Sequence, residues 1–286
     1  MAKITYTNER GDSIVLGQSA PFFVTNIEGF SNVNNKINTT KSLYQDGETE
    51  TNFTLDSRYL VIQGEYYTED RQEGRNKLIK VFNPKLKGKL RYENGSIIKE
   101  ISCRPEKSPT ISSTNRATVP YIINLFASNP FWEDLEEGKE EIALWISDWE
   151  FPVDIPAEGM EFGHRATTLI KNIINNGDVP CGMRIEFKAL ATVVNPSIFD
   201  FNTREFIKVK RNLLAGEKLI INTSFGNKRV ELVKSNGTIE NVFHYIDLKS
   251  TFIQLDVGDN LIQYDAEEGI DNLEVSIYHK PLYIGV

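Results

Sequence analysis

The chain has 286 residues, of which 40% are hydrophobic and 25% charged, a composition typical of a globular protein large enough for two domains. Its 32 basic and 40 acidic residues give a net charge of -8, which argues against binding to the phosphate backbone of a nucleic acid. No apolar run reaches the roughly 20 residues of a membrane helix, and the N-terminus lacks the apolar core of a signal peptide. We therefore expect no membrane segment and synthesis in the cytoplasm.

The first half of the chain is predicted to be mainly β. Short apolar segments at 13–16 and 21–27 are typical of strands, and residues 49–55 alternate loosely between apolar and polar side chains. Residues 59–66 are rich in β-branched and aromatic side chains, which strands favour. Residues 121–127 form another apolar strand, with a helix as the open alternative.

One helix and one hairpin interrupt this series. Apolar side chains cluster on one helical face over residues 69–82, the first turns carry Glu69, Asp70 and Glu73, and Asn83-Pro84 marks the end. Asn94-Gly95 lies between two strand-like segments, and this dipeptide predicts a type I′ turn with both residues at positive φ.

An acidic segment separates the two halves. Six of the nine residues at 133–141 are acidic, which is typical of a solvated loop or face. We expect the domain boundary within 142–165 and place it between an N-terminal domain of residues 1–145 and a C-terminal domain of residues 146–286.

The second half opens with twelve alternating residues, 182–193. One face carries Met183, Ile185, Phe187, Ala189, Ala191 and Val193, and the other carries Arg184, Glu186 and Lys188. This alternation predicts one long half-buried strand that ends before Asn195-Pro196. More short strands follow, separated by turn residues such as those at 258–260, and together they predict an antiparallel β-sandwich.

The sequence offers no set of catalytic residues. His164, His244 and His279 are isolated, and Cys103 and Cys181 are too few for a zinc site or a disulfide framework. No nucleophile elbow, Walker loop or dinucleotide-binding glycine motif occurs. We expect no catalytic residue, no metal site and no cofactor.

Three weaker alternatives come from acids and tryptophans. Glu133, Asp134, Glu136 and Glu137 could form a glycosidase pair, although every acid-rich loop offers as much. Asp256, Asp259 and Asp265 could approach a calcium ion but are better explained as turn residues. Trp132, Trp145 and Trp149 could stack on sugar rings, and we favour a role as anchors between domains or subunits.

These elements, in their order, resemble the distal tail proteins of long-tailed bacteriophages and prophages, which are baseplate hub components of the siphovirus type. The motifs that carry the resemblance are YLVIQG at 59–64, the helix before Asn83-Pro84, ASNPFW at 127–132, NGDVP at 176–180, Asn195-Pro196, GEKLIINT at 216–223 and GDNLI at 258–262. Each motif is a turn beside a strand, so the specificity lies in the ordered set, which covers nearly the whole chain.

The resemblance implies a structural protein of the virion tail tip. Its N-terminal β domain would form a ring, usually hexameric, that joins the tail tube to the host-recognition apparatus. Its C-terminal sandwich, similar to galectins or carbohydrate-binding modules, would hold other baseplate proteins. The implied partners are further copies of the chain, the tail-tube protein, a tail-associated hub protein and a receptor-binding protein. A carbohydrate-binding module that attaches to host cell-wall glycan remains the alternative function.

Overall fold

The computed structural model describes residues 2–19, 21–67, 70–112, 117–143, 145–147, 163–165 and 169–286. Contacts within the chain divide it into two compact units, which we call the first unit (Met1–Leu135 with Leu282–Val286) and the second unit (Glu136–Pro281). The chain therefore leaves the first unit after Leu135 and returns to it for its last residues. The boundary expected between residues 145 and 146 remains a prediction.

The first unit contains the only α-helix among the described residues and twelve of the strands. The elements are β1 (Lys3–Asn8), β2 (Ser13–Leu16), β3 (Phe22–Glu28), β4 (Asn35–Thr40), β5 (Thr49–Leu55), β6 (Arg58–Tyr66), α1 (Arg71–Val81), β7 (Gly88–Asn94), β8 (Ile97–Pro105), β9 (Thr110–Ile111), β10 (Val119–Ala127), β11 (Trp132–Glu133) and, from the end of the chain, β26 (Leu282–Tyr283).

Most of these strands form one antiparallel sheet in the order β2-β1-β7-β8-β10-β6-β3. Side chains alternate between buried and accessible along β6 and β10, as the sequence predicted, because successive residues of a strand point to opposite faces. The buried face forms a continuous apolar core that includes Tyr6, Tyr121 and Trp132. The predicted strand at 121–127 is confirmed, and the helical alternative there is wrong.

The helix α1 lies within the predicted range but begins later. Asp70 is its N-cap, and the Oδ1 atom of Asp70 accepts hydrogen bonds from the backbone nitrogens of Gln72 and Glu73. The helix ends at Val81, two residues before Asn83, and buries Leu78 and Val81. A proline disfavours helical backbone in the residue before it, which is consistent with this end.

The turn between β7 and β8 differs from the prediction. Asn94 pairs with Ile97, so the two loop residues are Gly95 and Ser96, and of the predicted pair only Gly95 has a positive φ, at 61°. A glycine at the first loop position is the pattern of a type II′ turn. The predicted type I′ turn is therefore wrong, because the strand pairing extends one residue further than the dipeptide suggests.

The second unit is built from short strands and two 3₁₀ turns. The elements are β12 (Gly138–Ala143), β13 (Trp145–Ser147), β14 (Gly163–Arg165), β15 (Ile170–Asn175), β16 (Met183–Ala189), β17 (Val193–Val194), β18 (Ser197–Asp200), β19 (Phe206–Lys208), β20 (Asn212–Leu213), β21 (Lys218–Asn222), β22 (Arg229–Val233), β23 (Ile239–Asn241), β24 (Gly258–Asp265), β25 (Leu273–His279) and the 3₁₀ turns Phe243–Tyr245 and Ile270–Asn272.

Two antiparallel sheets dominate this unit. One has the order β12-β25-β16-β21-β22-β23 and the other has the order β15-β24-β18-β19. Each sheet turns one apolar face inward: Ile185 and Phe187 are buried on the first, and Ile173 and Ile262 on the second. The predicted antiparallel β-sandwich is therefore confirmed.

Three local predictions in the second half need correction. The predicted strand at 182–193 is divided, because β16 ends at Ala189 and pairing resumes only in β17. The predicted turn at 258–260 is the start of β24, where these residues pair with β15. Within the acidic segment the loop alternative is wrong for residues 138–141, which form an accessible part of β12 and pair with β25. In each case a distant strand supplies pairing that local sequence does not show.

The overall class agrees with the sequence prediction: mainly β, with its α-helix in the N-terminal half. No helix among the described residues is long and apolar enough to span a bilayer.

Candidate assembly surfaces

A hairpin of the first unit stands apart from the main sheet, and we call it the hairpin arm (residues 35–55). Its strands β4 and β5 pair with each other and with no other described strand, and twelve of their thirteen residues are exposed. Ile37 and Phe53 face each other across the arm and are 54% and 59% exposed. A two-stranded hairpin is at best marginally stable alone in water, so this arm is suited to contact another chain.

The tip of the arm carries both apolar and acidic side chains. Leu43 and Tyr44 are 85% and 97% exposed, and Tyr44 has a φ of 66°, which is unfavourable for an aromatic residue. Asp46, Glu48 and Glu50 follow, and none of these three forms an ion pair with the described part of the chain. The tip is thus a defined acidic turn that its own chain leaves uncovered.

A second surface of the first unit is a groove of about 710 Å³ across β1, β7, β8 and β10, which we call the basic groove. Lys87 and Arg104 line it, both are exposed, and neither has an ion-pair partner among the described residues. Lys89 also lines the groove but pairs with Glu100 at 2.6 Å, and Glu9 is the carboxylate in the lining. Two unpaired cations against one acid make the groove attractive to anions.

The wall and floor of the basic groove are partly apolar. Phe126 lines it from β10, and Gly88 lets the ring of Tyr6 approach closely, since a Cβ on Gly88 would lie 2.5 Å from the Tyr6 Oη atom. Burial raises the pKa of Tyr6, so this hydroxyl stays protonated. Its oxygen is buried beneath Gly88 and has no hydrogen-bond partner among the described residues.

The end of the chain completes the first unit, and we call residues 282–286 the C-terminal strap. In β26, Tyr283 pairs with Trp132 of β11. The Ser31 hydroxyl donates to the Val286 carbonyl at 2.7 Å, and Gly285 packs against the backbone of Ser31. The strap thus joins the sheet edge to a loop that follows β3.

A charged cluster holds the side chain of Tyr283. The Lys99 Nζ atom lies 3.3 Å from the centre of the Tyr283 ring and 2.5 Å from Oδ1 of Asp134, while the Tyr283 hydroxyl donates to Asp134 at 3.0 Å. Although partial burial works against the charge, the hydrogen bonds to Asp134 and Tyr283 raise the pKa of Lys99. The cluster therefore remains charged and anchored at neutral pH.

One sheet face of the second unit carries ion pairs. Arg184 donates to Glu137 at 2.6 Å and also to Glu186, and Lys188 pairs with Glu274 at 2.8 Å. The charged side chains on the polar face of β16 are thus paired with other residues of the second unit. Exposed pairs of this kind contribute little to stability, about 1 kcal/mol or less each.

The acids considered for a glycosidase pair have structural partners or lie apart. Asp134 is held by Lys99 and Tyr283, and Glu137 is held by Arg184. Glu133 lies in β11 of the first unit, whereas Glu136 belongs to the second. Asp134 and Glu137 are thus each engaged by a cation of their own unit.

The histidines, cysteines and calcium candidates also have local roles. His279 is buried with Nε2 3.3 Å from the Ile174 carbonyl oxygen, and His244 packs on Tyr245. Cys103 and Cys181 are buried free thiols. No group of three potential metal ligands occurs in the described residues. The side chain of His164 lies outside the described residues.

Two of the aspartates considered for calcium lie in β24: Asp259 accepts from Asn172 of the neighbouring strand β15 at 2.6 Å, and Asp265, the last residue of β24, accepts from the backbone of Ala266. Trp132 is fully buried in the first core, where its Nε1 donates to the Phe30 carbonyl at 3.0 Å. Trp132 is therefore enclosed in the core of the first unit, and its ring is not exposed for stacking on a sugar. The Trp145 side chain and Trp149 lie outside the described residues.

The sequence predicted the second strand of the hairpin arm, at residues 49–55, but not its first strand, the basic groove or the C-terminal strap. The arm has the segment NKINTT as its first strand, which contains one apolar residue and so lacks the alternation that predicts a strand. The groove and the strap each need pairings between residues far apart in the chain. No local signal could have revealed them.

Two family models match the chain. The phage tail protein RIFT-related domain matches residues 9–127, and the siphovirus-type tail component, C-terminal domain, matches residues 176–283. No curated protein matches. The motifs at 59–64 and 216–223 fall within these two ranges, in the order the resemblance requires.

Solved phage tail structures share the fold at low sequence identity. The SPP1 Dit protein, described as a paradigm of the hub adsorption apparatus in phages that infect Gram-positive bacteria, aligns at a TM-score of 0.70 and 13% identity over 98% of each chain. Two structures of the phage P2 baseplate in its activated conformation, with Ca and with Sr, align at TM-scores of 0.55 and 0.53, each at 13% identity over 100% of both chains. The chain thus belongs to the siphovirus-type tail component family, that of the distal tail proteins, and is a structural protein of the phage tail.

Proposed function

We propose that copies of the chain assemble into a ring, a hexamer, which joins the tail tube to the host-recognition apparatus. The observation that carries this proposal is the hairpin arm, whose exposed Ile37 and Phe53 have no cover within the described chain. Contact with a second copy would bury this apolar surface and stabilise the arm.

The remaining partners follow from the same role. The ring would contact the tail-tube protein on one side and a tail-associated hub protein on the other, and the second unit would hold a receptor-binding protein.

The protein acts without catalysis, in keeping with the engagement of Asp134 and Glu137 in structural pairs. Native mass spectrometry and negative-stain microscopy of the purified chain test the ring, with expected hexamers and ring-shaped particles.

A variant makes this test specific. Ile37→Asn with Phe53→Asn should abolish the ring while the thermal unfolding of the monomer stays unchanged, because both side chains are exposed in one copy. Ile239→Asn, at a 65% exposed position of the second unit, is the matched control and should assemble normally. A wild-type chain that stays monomeric at high concentration, even with its tail-tube partner, would refute the proposal.

One observation favours the carbohydrate-binding alternative. The outer face of the four-stranded sheet carries the ring pair Phe199 and Phe201, whose centres are 5.0 Å apart, beside the amides of Asn172, Asn202 and Gln263. Aromatic rings and amides are groups that stack on sugars and bind hydroxyls. A glycan array with host cell-wall polysaccharide tests this function, and Phe201→Ala should remove any signal. A silent array at millimolar ligand eliminates it.

A further inference from the structure

We propose that the basic groove of one copy binds the acidic tip of the hairpin arm of a second copy. This contact would join neighbouring subunits of the ring, so the inference rests on the proposed self-assembly and identifies the surfaces that carry it. Both surfaces belong to the first unit, and their chemistry is complementary in charge and in apolar character.

Charge is the first argument. With a net charge of -8, two copies repel each other unless oppositely charged surfaces meet locally. The groove supplies Lys87 and Arg104, unpaired within the described chain, and the tip supplies carboxylates such as Asp46 and Glu48. Arg104 can bind a carboxylate through two parallel hydrogen bonds, which fixes orientation as well as adding energy.

Apolar surface is the second argument. The tip exposes Leu43 and Tyr44 directly before its acids, and the groove presents Phe126 beside its cations. Phe126 packs edge-on against Tyr59, which is 56% exposed and extends the apolar surface. An apolar centre with a charged rim is the usual composition of a specific protein interface.

The groove also contains groups that limit or support this binding. Glu9 lines it and opposes an acidic ligand, while Lys89 is already paired with Glu100. The Tyr6 hydroxyl lies beside the floor residue Gly88 with no partner in the described chain. The buried Tyr6 hydroxyl is not exposed to the groove, so the binding that we propose depends on Lys87, Arg104 and Phe126.

The test is a charge exchange between two full-length variants. One has an acidic groove (Lys87→Glu with Arg104→Glu), and the other has a basic tip (Asp46→Lys with Glu48→Lys). Each variant alone presents like charges on both surfaces, so we expect its self-association to weaken at least tenfold. An equimolar mixture should regain assembly as an alternating ring of the two variants, seen in native mass spectrometry by their different masses.

Controls separate the contact from folding and from total charge. Lys107→Glu with Lys249→Glu makes the same charge change at exposed positions and should assemble like the wild type. Glu9→Gln should tighten association severalfold, since it removes the opposing acid. Far-UV circular dichroism spectra should be equal for all variants, whereas thermal unfolding also reports the stability that assembly adds.

The possible failures are distinguishable. If the wild-type chain does not self-associate, the ring itself is refuted, and this contact with it. If the wild type assembles and either charge-reversed variant assembles equally well, only the groove contact is refuted. The same holds if both variants fold and fail alone but do not recover when mixed.

Discussion

Arg58 places a permanent positive charge inside the first unit, where it is 2% exposed. Its Nε donates to the Pro130 carbonyl at 2.6 Å, Nη1 donates at 2.7 Å to Gly29 and also to Phe30, and Nη2 donates to Ile284. Backbone carbonyls from separate segments thus take the place of a carboxylate partner. Burial lowers the pKa of Arg58, although an arginine remains charged at neutral pH.

A lysine at this position would keep the charge but lose the planar fork, because one ammonium cannot reach all of these carbonyls. We expect Arg58→Lys and Arg58→Met to lower the free energy of unfolding by about 3–5 kcal/mol, as loss of a buried charged network does. Urea denaturation followed by circular dichroism measures this change, with Arg10→Lys, at an exposed side chain, as control. An unchanged midpoint for both Arg58 variants would show that the network is dispensable.

Two buried thiols make stability depend on alkaline pH. Burial raises the pKa of Cys103 and of Cys181 from 9.0 to about 12. Above pH 9 the unfolded chain loses these protons while the folded chain keeps them, so stability falls as pH rises from 9 towards 12. Burial also raises the pKa of Tyr6 and Tyr121 above the ordinary value of 10.0, so these phenols add to the fall, but between pH 9 and 10 each contributes less than a thiol does.

We expect the melting temperature of the wild type to fall over pH 9–10, and the fall to be smaller in the double variant Cys103→Ala with Cys181→Ala. Differential scanning calorimetry at closely spaced pH values, under reducing conditions, measures both curves. The comparison uses the slope of melting temperature against pH. This slope is independent of the constant loss of stability that the cavities left by alanine cause. Parallel curves would rule out the thiols as the cause.

At the level of elements, the C-terminal strap contributes to the first unit through its backbone. Arg58 donates to the carbonyl of Ile284, Ser31 donates to that of Val286, and β26 pairs with β11. Gly285 is required here by space, since a Cβ would lie 2.6 Å from the backbone oxygen of Ser31. The Ile284 side chain, by contrast, is 37% exposed.

Removal of residues 282–286 should therefore destabilise the first unit by about 3 kcal/mol or more, since it leaves a buried guanidinium without one of its acceptors. Gly285→Ala should cost about 1–3 kcal/mol because the added methyl group clashes with backbone. Ile284→Ser keeps the backbone and should change stability by less than about 1 kcal/mol. Thermal melts of the three variants rank their losses of stability. A deletion of residues 282–286 that left the stability unchanged would disprove the role of the strap.

The elements predictable from the sequence are those whose pattern is local. The alternation of apolar and polar side chains predicted β6 and β10. The change to a helical spacing of apolar side chains predicted α1. The prediction of one long strand at 182–193 was wrong because the alternation of side chains continues past Ala189, whereas the pairing with β25 stops there. The first strand of the hairpin arm, β4, was not predicted for the opposite reason: a fully exposed strand has no buried face and so needs no alternation.

The candidate surfaces were less predictable than the elements that carry them. The polar face of β16 was identified from its alternation, but its ion pairs depend on the register with β25 and on Glu137. The basic groove unites side chains from four strands, and Arg104 and Lys87 have no motif in common. Sequence shows which side chains a strand exposes, whereas strand order decides which of them become neighbours.

At the scale of the whole molecule, the second unit is an insertion into the first. The chain enters it at Glu136 and leaves it at Pro281. Its first large-sheet strand, β12, pairs with β25, and Gly138 lies opposite His279. The two ends of the second unit are therefore adjacent, as in domains that tolerate excision or insertion. The first unit, in contrast, needs residues from both ends of the sequence.

This arrangement predicts which fragments fold. A fragment of residues 136–281 should fold cooperatively, because it keeps β12 against β25 and buries Ile142. A fragment of residues 146–286, cut at the boundary expected from the sequence, lacks β12. It should be several kcal/mol less stable or should aggregate, since the edge of β25 is then uncovered and the strap has no partner.

Circular dichroism melts and sedimentation velocity compare the two fragments, and residues 136–286 serve as the control for the strap alone. Equal stability of the 146–286 and 136–286 fragments would show that β12 adds nothing to the sandwich and would place the domain boundary where the sequence suggested.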